Sequence, residues 1–282
     1  MLNKNGFLHI KNILSEKIIN NINEHIKKID YNYTIYLDSI NLSKYKKTNK
    51  VEITNRSPIP ISIGVYLDGH NPFIKSYSRK VIQLWQFPYP KEKDISSYRG
   101  SSMGYLIHKD GINHIQKYYQ DNQRFFYNIF NNTILKKYLK NLQVLSIKYF
   151  VNEPDCDEQE IHIDDDLHKD IIYLTIPLNY HEKFGATTIY NNNIVNKYKK
   201  NKSNNELHNM GNLNDFNTEQ KNDFLKAEYK EPIQFGDILI FKGDTFHKGG
   251  KNLSNEPRHF IHISFKKTLK LNLNITNMLY NY

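Results

Sequence analysis

The second half of the chain is a succession of short β-rich segments separated by turn signals. From residue 143 these segments read QVLSIKYFV, EIHID, IIYLTIPL, ATTIYN, IQF, DILIF and HFIHISF. Short strands without long intervening helices are typical of an antiparallel sandwich or barrel. The sequence therefore predicts a mainly β core over 143–267. A polar, Asn- and Lys-rich insert at 191–230 interrupts it and is expected to be a solvated loop with a short helix near 217–227.

The segment 1–142 predicts helical and mixed structure that supports this core. A short strand at 7–11 is followed by Ser15, a typical helix N-cap, and by isoleucines at helical spacing. These are Ile18, Ile19, Ile22, Ile26 and Ile29. Aromatic residues recurring at near-helical spacing predict a second helix within 110–141, whereas 71–87 fits either a helix or a strand.

Composition favours a reducing, intracellular compartment. The chain carries one cysteine, Cys156, which excludes an intrachain disulfide, and no apolar segment approaches the length of a membrane span. We therefore expect a cytoplasmic protein that folds as a single domain over 1–282, with a C-terminal tail at 268–282.

The net charge of +10 raises the question of an anionic partner such as nucleic acid or a membrane surface. The lysines are spread along the chain rather than gathered in one block, which favours a solvated basic surface. We expect a small-molecule substrate rather than nucleic acid, and nothing in the sequence indicates a partner protein.

The segment IHIDDDLH at 161–168 concentrates groups that can bind a metal ion. On a strand, His162 and Asp164 point to the same side, roughly 6.6 Å apart at the backbone, so that both can chelate one ion. Alone, this His-x-Asp pattern is weak, because chance yields it often and a solvated acidic turn is the more common explanation. Two histidines and one carboxylate form the facial triad preferred by non-haem Fe(II) oxygenases, so a third ligand has to come from elsewhere.

The C-terminal strands offer that ligand. His247 follows a predicted strand that ends near Phe241, and a glycine-rich loop then leads to Arg258, eleven residues after His247. Across such a hairpin a guanidinium group can return to the metal and hold a carboxylate through two parallel hydrogen bonds.

Taken together, these stretches resemble the Fe(II)/2-oxoglutarate-dependent dioxygenases, and within them the phytanoyl-CoA dioxygenase-like branch. The matching stretches are NGFLHIKNILS at 5–15, HID at 162–164, YLTIPLN at 173–179, GATTIY at 185–190 and GDILIFKGDTFHKGGKNLSNEPR at 236–258. The resemblance implies a double-stranded β-helix (jelly-roll) core buttressed by N-terminal helices. It also implies a hydroxylase that uses Fe(II), 2-oxoglutarate and O2, and that releases succinate and CO2.

Residue by residue, the resemblance assigns His162, Asp164 and His247 to iron. It assigns Arg258 to the distal carboxylate of 2-oxoglutarate.

Three further positions bear on how 2-oxoglutarate is held. Thr175 falls where some relatives carry an aromatic residue that lines the cosubstrate, and Gly249 falls where relatives often carry a serine that assists the arginine. Tyr149 matches a tyrosine that helps to bind 2-oxoglutarate in prolyl-hydroxylase-like members. Those members usually carry lysine at the position of Arg258, so a protein side-chain hydroxylase of that kind ranks second.

Two histidines are candidates for the substrate pocket. His168 follows the His-x-Asp motif, where residues of such enzymes border the metal, and His262 shares a strand face with Arg258 by two-residue alternation. Asp165 and Asp166 are predicted to be solvated acids of the turn, with Asp166 a possible partner of the ligands.

Three other functions stay open. A nucleic-acid demethylase with the same core would carry a second arginine where this chain has Ser264. A jelly-roll module without catalytic activity would need neither the triad nor Arg258, and a zinc hydrolase of cupin type would leave Arg258 without a role.

Overall fold

The computed structural model describes residues 4–28, 34–36, 65–67, 79–86, 105–107, 112–131, 135–139, 142–165, 170–208 and 210–267. Ile29, Asp166, His168 and the predicted tail at 268–282 lie outside these residues.

Twelve strands occur in the described part of the chain. They are β1 (Phe7–Ile10), β2 (Thr34–Tyr36), β3 (Val65–Leu67), β4 (Arg79–Gln86), β5 (Tyr105–Ile107), β6 (Leu142–Asn152), β7 (Ile171–Pro177), β8 (Thr188–Tyr190), β9 (Glu228–Tyr229), β10 (Ile238–Lys242), β11 (His247–Lys248) and β12 (Arg258–Lys267). The helices are α1 (Glu16–Lys27), α2 (Ile112–Asn131), α3 (Leu135–Leu139), α4 (Asn192–Val195), α5 (Asn204–Leu207) and α6 (Thr218–Ala227), with 3₁₀ turns at Asn196–Lys199 and Leu213–Asp215.

Most of the described strands form a larger and a smaller sheet that face each other, and β2 pairs with β5 in a separate two-stranded sheet. The larger sheet has the order β1-β10-β7-β12-β6-β4-β3 and is antiparallel throughout, and a smaller sheet has the order β11-β8-β9. Ile189 of the smaller sheet packs with Leu239 and Phe241 of the larger one. The predicted mainly β, jelly-roll architecture with flanking helices is confirmed, although the two sheets do not join into a closed barrel among the described residues.

Alternation along β12 divides its side chains between two environments. Ile261, Ile263 and Phe265 enter the main hydrophobic core, where α1 and α2 cover the outer face of the large sheet. Arg258 and His262 therefore face the opposite way, toward the smaller sheet. This division places the polar residues of β12 in the space between the sheets.

Helix α1 forms the buttress that the isoleucine spacing predicts. Ser15 precedes the helix as its N-cap residue, although its side chain makes no capping hydrogen bond. Ile19, Ile22 and Ile26 are buried in the main core, and each contributes about 1.5–3 kcal/mol relative to an exposed side chain. Of the ambiguous segment 71–87, the described part is strand β4.

The polar insert is more ordered than its composition predicts. The short helix near 217–227 is present as α6, but two further helices and two 3₁₀ turns also fold over the outer face of the smaller sheet, so the expected solvated loop is wrong. Val195, Leu207 and Phe224 of the insert form a buried cluster with Ile161, Ile163, Phe246 and others. These scattered apolar residues have no helical or strand period, because they become one surface only when short turns bring them together.

No helix in the part of the chain that the structure describes is long and apolar enough to cross a membrane.

Candidate metal centre

Backbone pairing brings the two predicted histidine ligands side by side. His162 and His247 form an antiparallel bridge in which each N–H donates to the other residue's carbonyl oxygen, at 3.0 and 2.9 Å. Their ring centroids are 4.4 Å apart. Behind them, Ile161, Ile163 and Phe246 alternate with the ligands and anchor both segments in the cluster of the insert. The insert thus supports the strands that carry the histidines.

Asp164 completes a three-residue group. Its backbone N–H donates to Gly243 O at 3.0 Å, which sets the direction of its side chain. Oδ1 lies 3.7 Å from His162 Nε2, and Oδ2 lies 3.4 Å from His247 Nε2. One ligand atom from each residue lies within 4.8 Å of the other two. The three residues that the sequence singled out therefore converge on one point.

Hydrogen bonds hold both histidines in the tautomer that can bind a metal ion. His162 Nδ1 lies 2.7 Å from Glu160 O, and His247 Nδ1 lies 3.0 Å from Thr245 O. A carbonyl oxygen only accepts, so each Nδ1 carries the proton and each Nε2 turns a lone pair toward Asp164. Backbone carbonyls commonly orient metal-binding histidines in this way.

Asp164 is ionised in this setting. Burial raises the pKa of its carboxyl group, but the positive charge that His247, His162 and His262 carry when protonated, together with the N–H of His262, lowers that pKa well below its usual value. Two imidazole lone pairs beside an ionised carboxylate form the 2-His-1-carboxylate donor set typical of non-haem Fe(II) sites. The residues present therefore fit a divalent metal ion.

Arg258 lies in the same inter-sheet space, at the start of β12. Its Nη1 donates to Gly185 O at 2.8 Å and its Nη2 to Thr187 Oγ1 at 3.1 Å, while the guanidinium group stacks over the Phe260 ring at 5.4 Å. Thr187 is a contact that sequence reasoning missed. The only sequence feature that pointed to Thr187 was its place in the stretch GATTIY, directly before Thr188.

The loop before Arg258 is held by one buried amide. Asn252 is fully buried, and its Nδ2 donates to the carbonyl oxygens of Asn152, Glu153 and Glu256 at 3.0, 3.2 and 2.8 Å. These bonds tie the loop to the end of β6, directly opposite Arg258 in the register of β6 and β12.

Gly249 lies close to the side chain of Gln159. A β-carbon at this position would lie 2.5 Å from Gln159 Oε1, which already accepts a hydrogen bond from the Gly249 N–H at 2.9 Å. A larger residue would have to displace Gln159.

The structure brings two further predicted residues to the centre. Thr175 Oγ1 lies 3.0 Å from His262 Nδ1, and His262 Nε2 lies 3.7 Å from Asp164 Oδ2. Thr175 is directly opposite His262 in the register of β7 and β12.

Tyr149 is not brought to the centre. It pairs directly with Ile261, on the face of the sheet that carries the main core, and its hydroxyl oxygen lies 2.7 Å from His259 Nδ1. Residues directly opposite in a ladder share a face, so Tyr149 points away from Arg258.

Asp165 lies in a bend and is partly exposed, and it also contacts a neighbouring strand. The Tyr173 hydroxyl donates to Asp165 Oδ2 at 2.5 Å. Burial, together with the charges of Asp164 and Asp165, raises the pKa of Tyr173 far above its usual value, so the phenol keeps its proton. Tyr173 shares the pocket face of β7 with Thr175.

The sequence matches no protein-family model, and no curated protein matches it. Among solved structures, the non-haem α-ketoglutarate-dependent carbocyclase SnoK from nogalamycin biosynthesis matches with a TM-score of 0.50 at 13% identity, over 94% of this chain and 80% of that chain. This chain has the fold of a non-haem 2-oxoglutarate-dependent enzyme. At such low identity the likeness establishes the fold alone, and the phytanoyl-CoA dioxygenase-like branch stays a prediction. HygX from Streptomyces hygroscopicus, whose structure contains nickel, 2-oxoglutarate and hygromycin B, gives a TM-score of 0.48 at 10% identity, over 96% and 86% of the two chains.

Proposed function

We propose that this protein is an Fe(II)- and 2-oxoglutarate-dependent dioxygenase that hydroxylates a small molecule. One observation carries the proposal: the Nε2 atoms of His162 and His247 and the carboxylate of Asp164 converge within 4.8 Å. Both imidazoles are oriented by backbone carbonyls, as metal ligands require. The fold shared with SnoK supports the same reading.

Different residues of the chain have different roles in such a reaction. His162, Asp164 and His247 would bind the metal ion, and a 2-His-1-carboxylate set leaves open positions for 2-oxoglutarate and O2. When bound, Fe(II) supplies O2 activation, in which 2-oxoglutarate loses CO2 to become succinate, one oxygen atom enters succinate, and the other enters a C–H bond of the substrate.

Arg258 is the group that binds the distal carboxylate of 2-oxoglutarate. It is a permanent cation in the inter-sheet space, and its planar guanidinium matches a carboxylate. Gly185 O and Thr187 Oγ1 hold it in one orientation, which lowers the entropic cost of binding the anion.

Aromatic side chains make up the wall of the sheet between Arg258 and the metal ligands. Phe150 and Phe260 stack at 4.8 Å, and Tyr173 and His262 stack at 4.7 Å. Such a wall excludes water from the reacting groups and favours a substrate with apolar surface.

The other candidate functions have less support. Tyr149 points into the main core, which removes the residue on which a prolyl-hydroxylase-like function depended. A binding module without activity does not account for three converged ligands together with an oriented Arg258, and a zinc hydrolase gives Arg258 no role.

Anaerobic Fe(II) titration followed by an assay of succinate formation from 2-oxoglutarate in air tests the proposal. We expect the wild-type protein to bind one Fe(II) and to form succinate slowly without substrate, and His162→Ala to do neither. His259→Ala is the matched control, because His259 lies on the opposite face of β12 and should leave both unchanged. Absence of Fe(II) binding by the wild-type protein would contradict the proposal.

A further inference from the structure

His262 lies beside the triad without belonging to it. Its Nε2 is 3.7 Å from Asp164 Oδ2, the same separation that His162 Nε2 has from Oδ1. Asp164 is thus flanked by three imidazoles, and the question is what the third one does.

Packing confines His262 to one orientation. Its ring stacks on Tyr173 at 4.7 Å, with an interplanar angle of 20°. Phe241 lies 5.9 Å away, and Phe150 meets it edge-on at 5.7 Å. With 14% of the side chain exposed, the ring cannot swing away from Asp164 without displacing aromatic neighbours.

The hydrogen bonds of His262 differ from those of the two ligand histidines. His162 and His247 direct Nδ1 at backbone carbonyls, which leaves a lone pair on Nε2. His262 directs Nδ1 at Thr175 Oγ1, a hydroxyl that can donate, at 3.0 Å. An Nε2 lone pair facing the Asp164 carboxylate would be repelled, so the proton belongs on Nε2 and the Thr175 hydroxyl donates to Nδ1. His262 therefore presents an N–H to the carboxylate, 3.7 Å away, and no lone pair to a metal ion.

We propose that His262 is a positioning residue, whose Nε2–H, oriented by Thr175, holds the Asp164 carboxylate in place for the metal ion. This inference rests on the metal site of the proposed function. Hydrogen bonds to a ligating carboxylate restrict its rotation and strengthen metal binding, and their loss typically costs about 10–100-fold in affinity.

Titration with Co(II) tests this role, because the absorption spectrum of Co(II) reports its coordination as well as its affinity. His262→Phe retains a ring for the aromatic packing and removes the donor, and we expect it to weaken Co(II) binding by about 10–100-fold without changing the shape of the spectrum. His262→Asn retains an N–H donor and should recover part of the affinity. Thr175→Val removes the orienting hydroxyl at nearly constant volume and should weaken binding less than His262→Phe does.

The matched control is His259→Phe, the same substitution on the same strand but on the opposite face, and it should bind Co(II) like the wild-type protein. Thermal unfolding of each variant establishes that it is folded. If His262→Phe and His262→Asn are both unfolded, Thr175→Val still tests the inference, because it removes the hydrogen bond between Thr175 and His262 and leaves the histidine in place.

Two results would overturn the inference. Wild-type affinity in His262→Phe and Thr175→Val would reduce His262 to a packing residue. An altered Co(II) spectrum with a loss as large as that of His247→Ala would make His262 a fourth ligand. Both differ from failure of the proposed function, in which the wild-type protein itself would not bind the metal.

Discussion

Lys199 of the insert donates to Asp244 Oδ2 at 3.2 Å, three residues before His247. Its side chain is 8% exposed, and its ammonium group lies 5.5 Å from the centre of the Phe246 ring. Burial lowers the pKa of Lys199, and the charge of Asp244 opposes that shift. A partly buried ion pair thus joins the insert to the turn that leads to His247.

Removing Lys199 should destabilise this turn. We expect Lys199→Met to lower the free energy of unfolding by about 1.5–3 kcal/mol, the range for a hydrogen bond between charged groups, because it leaves the Asp244 carboxylate without this partner. Urea unfolding measures the change. Lys197→Met is the control: Lys197 pairs with Asp223 on the exposed side of the insert, where such pairs contribute about 0–1 kcal/mol. Equal losses in the two variants would contradict the prediction.

Stability should decrease at acidic pH because of His25. Its Nε2–H donates to Asn122 Oδ1 at 2.8 Å, and its ring stacks on Phe125 at 3.8 Å. Burial lowers the pKa of His25 below 6.5, so below that pH the unfolded chain binds more protons than the folded one. Stability contributed by the neutral ring is present above pH 6.5 and is lost as the pH falls.

The size of this effect is at most about 1.4 kcal/mol per pH unit for one proton. Urea unfolding at several pH values, compared between the wild-type protein and His25→Gln, isolates the contribution of His25 from that of other titrating groups. We expect the wild-type protein to lose more stability between neutral and mildly acidic pH than the variant. Parallel pH profiles would exclude His25 as the cause.

Thr187 should affect 2-oxoglutarate binding through Arg258. Thr187→Val removes the hydroxyl that accepts from Nη2, and we expect KM for 2-oxoglutarate to rise several-fold with little change in kcat. Arg258→Met, which removes the cation, should raise KM by about 10–100-fold, because a hydrogen bond between charged groups contributes about 1.5–3 kcal/mol. Succinate formation at varied 2-oxoglutarate concentrations gives both constants. Thr188→Val is the control, since Thr188 faces the other side of β8, and an equal effect there would refute the role of Thr187.

Asn252 should be among the least replaceable residues of the loop. Asn252→Ala removes the two amide N–H groups that these carbonyl oxygens share, and each buried acceptor left unsatisfied costs about 1–3 kcal/mol, so we expect a marked fall in thermal stability. Asn252→Asp should be at least as damaging, because a carboxylate faces the same carbonyls without a donor. Asn255→Ala, at an exposed position of the same loop, should unfold like the wild-type protein. Comparable midpoints for Asn252→Ala and Asn255→Ala would show that the amide is dispensable.

Local patterns in the sequence were sufficient to predict the β core, the helix beginning after Ser15, and the positions of His162, Asp164 and His247. The two-residue alternation of a strand places His162 and Asp164 on one side whatever the remaining chain does, and the isoleucine spacing of α1 defines its buried face independently of its partner. These features depend on backbone geometry over a few residues, which is why the sequence contains them.

Only the tertiary structure decided the rest. Strand β6 has buried residues on both faces, so the direction of Tyr149 depends on its register with β12. The order of the insert depends on contacts of Phe224 with Phe246, and the role of His262 depends on meeting Thr175 and Asp164 from other strands. The register in which strands pair and the contacts between residues distant in the sequence depend on the free energy of the whole assembled core. Alternation in the sequence therefore predicted that His162 and Asp164 share a face, and the packed sheets determined which neighbours surround them.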